Sequence, residues 1–223
     1  MRTRTAVALA AVVAVSIAAL PGSAAAARKK PAKCSASRST TIAQTKDVRV
    51  YSQPKKDDYD QGYACLYKTG KRVLLANVEE CMGTDKASSF EIAGHYVGWV
   101  STSCGLDEGT SQVVVTDVAK GKNVVRGSGA VPANPNADLY STSVRDLVVS
   151  PTGAAAWIGT YSRSSGDTPT PDDRIQVSKA APGGMPGGTL VDSGPDIVTG
   201  SLALSSTGFY YRKGTTPLFE ELQ

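Results

Sequence analysis

The chain has 223 residues with 24 Lys and Arg against 20 Asp and Glu, a formal net charge of +4, and 41% apolar residues, ample for one buried core. It holds a single histidine, which excludes metal sites built from several imidazoles. Removing Arg2 and Arg4 with the leader described below leaves 22 basic against 20 acidic residues, too even a balance for the concentrated basic face that nucleic acid requires.

Residues 1–27 read as a secretory signal. Arg2 and Arg4 charge its start, Ala6 to Leu20 is an apolar or small-residue core, Pro21-Gly22 breaks that core, and Ser23 to Ala27 offers A-x-A cleavage frames. The apolar run is shorter than the roughly 20 residues of a spanning helix. Cleavage and export are therefore expected, with no membrane span afterwards. Residues 28–38 form a basic Pro/Ala arm, Arg28-Lys-Lys-Pro-Ala-Lys33, read as a solvated leader, with contact to anionic cell-wall polymer as the alternative.

From residue 39 onward short β-rich runs recur at roughly 8–12-residue spacing between turn residues. The template is Leu147-Val-Val-Ser-Pro-Thr-Gly-Ala-Ala-Ala-Trp-Ile158: an apolar strand, a tight turn, and a strand carrying tryptophan. Thr41–Tyr51 is a faint copy, Phe90-Glu-Ile-Ala-Gly-His-Tyr-Val-Gly-Trp99 a clearer one, and Leu202-Ala-Leu-Ser-Ser-Thr-Gly208-Phe-Tyr-Tyr-Arg a third. Pro151 presets φ for the turn, and Gly153 and Gly208 are expected to supply positive φ. Each of the first three hairpins precedes a second: Gly62–Leu75, Ser111–Val125, and Arg174–Lys179 returning through Gly188–Val191. The strands thus group in fours, over about residues 39–80, 88–128, 143–194 and 198–223. The last group ends with Pro217-Leu-Phe-Glu-Glu-Leu222 and lacks an outer strand. Trp99, Trp157 and the pair Tyr210-Tyr211 stand at matching positions and are expected in the core; Tyr63 and Tyr67 flank Cys65 on one strand face.

Four-stranded units repeating every 40–60 residues fit a propeller-like array. Ser150-Pro-Thr-Gly153 with Trp157 resembles the WD40-like, TolB-type propeller repeat, in which a strand leads into Ser-Pro-Asp-Gly and an aromatic-ended strand. Thr152 departs from the acid, Ser205-Ser-Thr-Gly208 lacks the proline, and Gly94-His95 keeps only the glycine. The chain is also similar to exported actinobacterial β-propeller-like proteins of unassigned function. The fold expected is an all-β, propeller-like array of about four antiparallel sheets with an incomplete last blade, in a single domain over residues 39–223. An open barrel or sandwich is the alternative.

Cys34, Cys65, Cys81 and Cys104 are an even set in an exported chain, so disulfides are expected. Four thiols allow three pairings, and the expected one is Cys34 with Cys65 and Cys81 with Cys104. No C-x-x-C pair is present to suggest zinc, and Asp58-Tyr-Asp60-Gln-Gly62 lacks the sixth-position glycine and distal glutamate of a calcium loop. His95 falls in a hairpin turn, with no Gly-x-Ser-x-Gly elbow elsewhere. Gly127-Ser-Gly129 and Lys120-Gly-Lys122 fail as phosphate loops and read as hairpin turns. No cofactor is expected.

Four polar, Gly- and Pro-rich connections remain: 53–62, 103–110, 128–143 and 162–173. Loops on a rigid array are where binding concentrates, so Tyr59, Asp107, Glu108, Asp172 and Asp173 are the candidate contact residues. The expected function is a non-catalytic binding or scaffolding module at the cell surface, with cell-wall glycan or a protein as partner. The alternative is a hydrolase of wall or extracellular polymer using those loop carboxylates.

Overall fold

In a computed structural model, residues 34–55, 60–77, 86–104, 109–131, 140–163 and 175–222 are described. They are all-β, in four antiparallel sheets that each run as a meander of sequence neighbours. The first comprises β1 (Thr40–Gln44), β2 (Val48–Pro54), β3 (Asp60–Leu66) and β4 (Lys71–Asn77). The second comprises β5 (Lys86–Ala93), β6 (Tyr96–Cys104), β7 (Gly109–Asp117) and β8 (Lys122–Ser128). A single parallel bridge, Asn77 to Lys86, links their facing edges. The third has β9 (Tyr140–Val149), β10 (Ala155–Arg163), β11 (Ile175–Ala180) and β12 (Thr189–Ser193). The fourth is short: β13 (Ala203–Leu204), β14 (Gly208–Lys213) and β15 (Thr216–Glu221). The expected grouping in fours, with an outer strand missing from the last sheet, is what the chain forms.

The sheets pack face to face in chain order, and the two-residue period of a strand explains how. In β7, Val114 joins Val48, Val50, Ala64 and Trp99 between the first and second sheets. Its neighbours Val113 and Val115 point the other way and meet Leu147, Val149 and Trp157 of the third. Ala156 and Ile158 alternate with Trp157 and pack against Phe209 and Tyr211 of the fourth. The inner two sheets are covered on both faces, so their central strands read as unbroken apolar runs. Each large side chain so buried is worth about 2–3 kcal/mol.

The end sheets differ. The outer face of the first is closed by the Cys34–Cys65 disulfide, which confirms the first expected pairing, with Tyr51 and Tyr63 stacked at 5.6 Å beside it. Arg49 lies 4.7 Å over the Tyr51 ring and donates to the Cys34 carbonyl and Ser39 Oγ, pinning the entering arm. The outer face of the fourth carries Tyr210 and Phe219, paired at 5.1 Å and 45% and 42% exposed. The Tyr210-Tyr211 expectation therefore holds only for Tyr211: adjacent strand residues cannot share a face, and Tyr210 takes the outer one.

Two turn expectations also need correction. Gly153 has φ +88°, but Gly208 is not in the left-handed region. It opens β14, where the Phe219 ring and the Glu220 carbonyl leave no space for a Cβ. What the two turns share is serine: Ser150 Oγ accepts from the amides of Thr152 and Ala154, and Ser205 Oγ from those of Thr207 and Gly208. Gly127 and Gly129 are not hairpin-turn residues either. Gly127 lies within β8 against the Trp157 ring, and Gly129 lies against Gly159 of the third sheet.

The turns 45–47, 67–70, 94–95, 118–121, 150–154 and 205–207 lie at one end of the sheets, and the β14–β15 turn 214–215 lies at the other. The strand ends that flank residues 56–59, 78–85, 105–108, 132–139 and 164–174 also lie at that second end. This separation follows from up-and-down topology, and it places the candidate site at the second end.

Candidate functional site

At that end of the third sheet, β9 and β10 form one wall of an open groove of about 600 Å³, within the usual range of ligand pockets. The residues come from a change in the strands' alternation. Near the Ser150 turn the face toward the fourth sheet is apolar, with Val148, Ala156 and Ile158. Beyond Ile158 the same face becomes hydroxyl-bearing, with Ser143 opposite Thr160 and Ser141 opposite Ser162. Ser143 Oγ and Thr160 Oγ1 share a hydrogen bond of 2.7 Å. Consecutive rungs on one face stand roughly 7 Å apart, which gives a polar ladder along the groove. Ile175, paired with Thr160 in the next strand of the sheet, and Pro195 supply apolar contact.

The opposite face of these strands fixes the ladder. Thr142 Oγ1 accepts from the Ser111 amide at 2.7 Å. Ser141 Oγ, although its residue is in register with Ser162, is drawn back to the Gly109 amide at 3.3 Å, which leaves Ser143, Thr160 and Ser162 as the hydroxyls of the groove face. Gly159 sits so close to Gly129 that an added Cβ would fall on the Gly129 carbonyl oxygen. The wall is thus bolted to the second sheet by backbone contact.

Arg145 is the only charged residue lining the groove among the described residues. It occupies a β-bulge: Asp146 faces Ile158 and Val144 faces Gly159, which leaves Arg145 without a cross-strand partner in β10. Bulges redirect a side chain out of regular alternation. Its neighbour Asp146 is engaged elsewhere, accepting the Leu202 amide at 2.8 Å through Oδ2.

Other polar clusters read as structural. His95 does fall in the β5–β6 turn, as expected, with Nε2 3.6 Å from Oδ1 of the buried Asp117. Asp117 Oδ1 accepts the Lys120 amide at 2.9 Å, shaping the β7–β8 turn, and Lys120 Nζ lies 3.2 Å from Oδ2 as an ion pair without hydrogen-bond alignment. Burial pushes the Asp117 carboxyl up, but the Lys120 amide and ammonium together with the His95 imidazole outweigh it and hold the group below its usual value. Between the third and fourth sheets, Asp192 accepts from Tyr211 Oη at 3.1 Å and Lys213 Nζ at 3.0 Å. Burial, then the Asp192 charge and hydrogen bond, push Tyr211 up to about 12. Among the described residues no group of three or more His, Cys, Asp or Glu is placed to hold a metal ion, and no helix is long and apolar enough to cross a membrane.

Of the residues singled out from sequence, Cys34 and Cys65 are joined. Cys81 and the Cys104 side chain lie outside the described residues, as do Tyr59, Asp107, Glu108, Asp172 and Asp173. The groove residues Ser141, Ser143, Arg145, Thr160 and Ser162 were not singled out. The available signal was the switch from apolar to hydroxyl side chains partway along two paired strands.

No protein-family model, curated protein or solved structure matches this chain.

Proposed function

We propose that the chain is an exported, non-catalytic binding module acting at the cell surface, and that the groove on the third sheet holds an extended, hydroxyl-rich polymer such as a wall glycan. The observation that carries this reading is the row of hydroxyls from Ser143, Thr160 and Ser162 on a wall fixed from behind. A fixed row of hydroxyls, each donor and acceptor, suits a ligand that presents hydroxyls at intervals, and an already rigid wall loses little entropy on binding. A disulfide-bonded all-β chain is compatible with an extracellular protein. The sheets, stacked in chain order, accord with the TolB-type propeller kinship suggested by the Ser-Pro-Thr-Gly repeat.

Among the described residues the groove lining carries a cation and no carboxylate. A hydrolase reading would need its acid pair from Asp107, Glu108, Asp172 or Asp173. Co-sedimentation of the oxidised protein with purified cell walls, and with soluble glycans by affinity electrophoresis, tests the proposal. Retention that is lost on blocking the groove with Ser162→Trp, without release of reducing ends, supports it. Release of reducing ends would transfer the assignment to the hydrolase, and retention unaffected by the block would remove the groove from it.

A further inference from the structure

We infer that the groove selects an anionic sugar chain, with Arg145 as the residue that reads the acid; this rests on the groove being the binding site. Among the described residues its lining combines several hydroxyls with one guanidinium and no carboxylate; the nearby Asp146, which faces Glu91, is held by backbone amides. Guanidinium is the side chain best matched to a planar carboxylate or to phosphate, through two parallel hydrogen bonds.

The position of Arg145 separates it from Arg49 and Arg72. Arg49 is committed to Thr41 Oγ1, the Cys34 carbonyl and Ser39 Oγ. Arg72 donates to Gln53 and lies 4.9 Å over the Tyr63 ring. Both are spent on closing the first sheet. Arg145 has no hydrogen bond or ion pair to any described residue, while the carboxylate beside it in sequence, Asp146, receives the Leu202 and Leu147 amides instead. The bulge that disrupts an otherwise regular pairing falls at this one residue, so the strand gives up a ladder position where the cation joins the groove. The ladder then meets the sugar hydroxyls and Arg145 the acid. Carboxylate and phosphate share this chemistry, and the probes below separate them.

The test is isothermal titration of the full mature protein, at low salt, with oligogalacturonate, with its methyl ester, which has the same backbone and no charge, and with a phosphorylated oligosaccharide. At least tenfold tighter binding of one acidic probe than of the ester is expected, and the tighter of the two identifies the acid. Arg145→Gln should bring the acidic probe to the level of the ester, with a far smaller change in binding of the ester itself. Arg145→Lys should keep part of the preference. Circular dichroism and melting of both variants should match the parent, because Arg145 is exposed. Equal binding of acid and ester overturns this inference and leaves groove binding standing. Acid preference that survives Arg145→Gln also overturns it, locating the preference elsewhere, for example on the basic residues 28–33. Failure of every probe to bind removes both this inference and the groove reading beneath it.

Discussion

Gly127→Ala should destabilise the protein in the parent background and not in a Trp157→Phe background. An added Cβ at Gly127 would lie 2.4 Å from Trp157 Cη2 and 2.6 Å from Cζ2, where real carbon contacts do not occur. Trp157 cannot swing away, because it is fully buried and its Nε1 donates to the Ser128 carbonyl at 2.9 Å. Overpacking of this kind costs about 1–3 kcal/mol. It is partly offset because Gly127 lies outside the left-handed region, so alanine gains about 0.4–1 kcal/mol by restricting the unfolded chain. The net loss expected is about 1–2 kcal/mol. Trp157→Phe removes the atoms that would clash and itself costs about 2–3 kcal/mol through the cavity and the orphaned Ser128 carbonyl. In that background Gly127→Ala should be neutral or stabilising by about 0.5 kcal/mol. Urea unfolding of the four proteins in the cycle gives the coupling directly. An equal cost in both backgrounds would refute the claim that this glycine exists to admit the indole.

Replacing both Cys34 and Cys65 by serine opens a closure with a sequence separation of 31 and should lower stability by about 3–4 kcal/mol, read from the urea midpoint of the double variant. Tyr51→Phe should be neutral to stabilising by less than about 1 kcal/mol in the same assay, since the Tyr51 hydroxyl is buried with no well-aligned hydrogen bond and its removal costs only a weak contact with the Arg72 guanidinium. Asp117 has a depressed folded pKa, so its contribution is present above the unfolded value near 4 and is lost as pH falls below it. Stability measured from pH 5 down to pH 2 should therefore drop more steeply in the parent than in Asp117→Asn.

The periodic features were legible from sequence because they are local. Val113-Val114-Val115 announces a strand buried on both faces, and Ser150 with Gly153 announces a reversal. Cys34 and Cys65 could be paired from their places beside the first repeat. The facts that escaped depend on which sheet lies behind which. Gly127, Gly129 and Gly159 look like turn or loop glycines in one dimension, yet two of them are close-approach positions between sheets and the third admits a ring. Tyr210 and Tyr211 are chemically equivalent in the string, and only the face of β14 separates a core tyrosine from an exposed one. The acidic loops stand out in the string because loops usually bind, whereas the groove is built from strand residues that look like filler.

The groove follows from the incomplete fourth repeat. β9 has 10 residues and spans about 33 Å, whereas β14 and β15 have 6 each and span about 20 Å. The fourth sheet begins to cover the third where the Leu202 amide meets Asp146 Oδ2. Everything on that face before Asp146 in β9, and after Ile158 in β10, extends past its cover. Uncovered strand faces must be polar to remain soluble, and this alone explains Ser141, Ser143, Thr160 and Ser162. It does not explain a bulge that falls at Arg145, since regular pairing would have served solubility equally well. Shortening the fourth sheet makes the space, and the irregularity in β9 provides it with a charge.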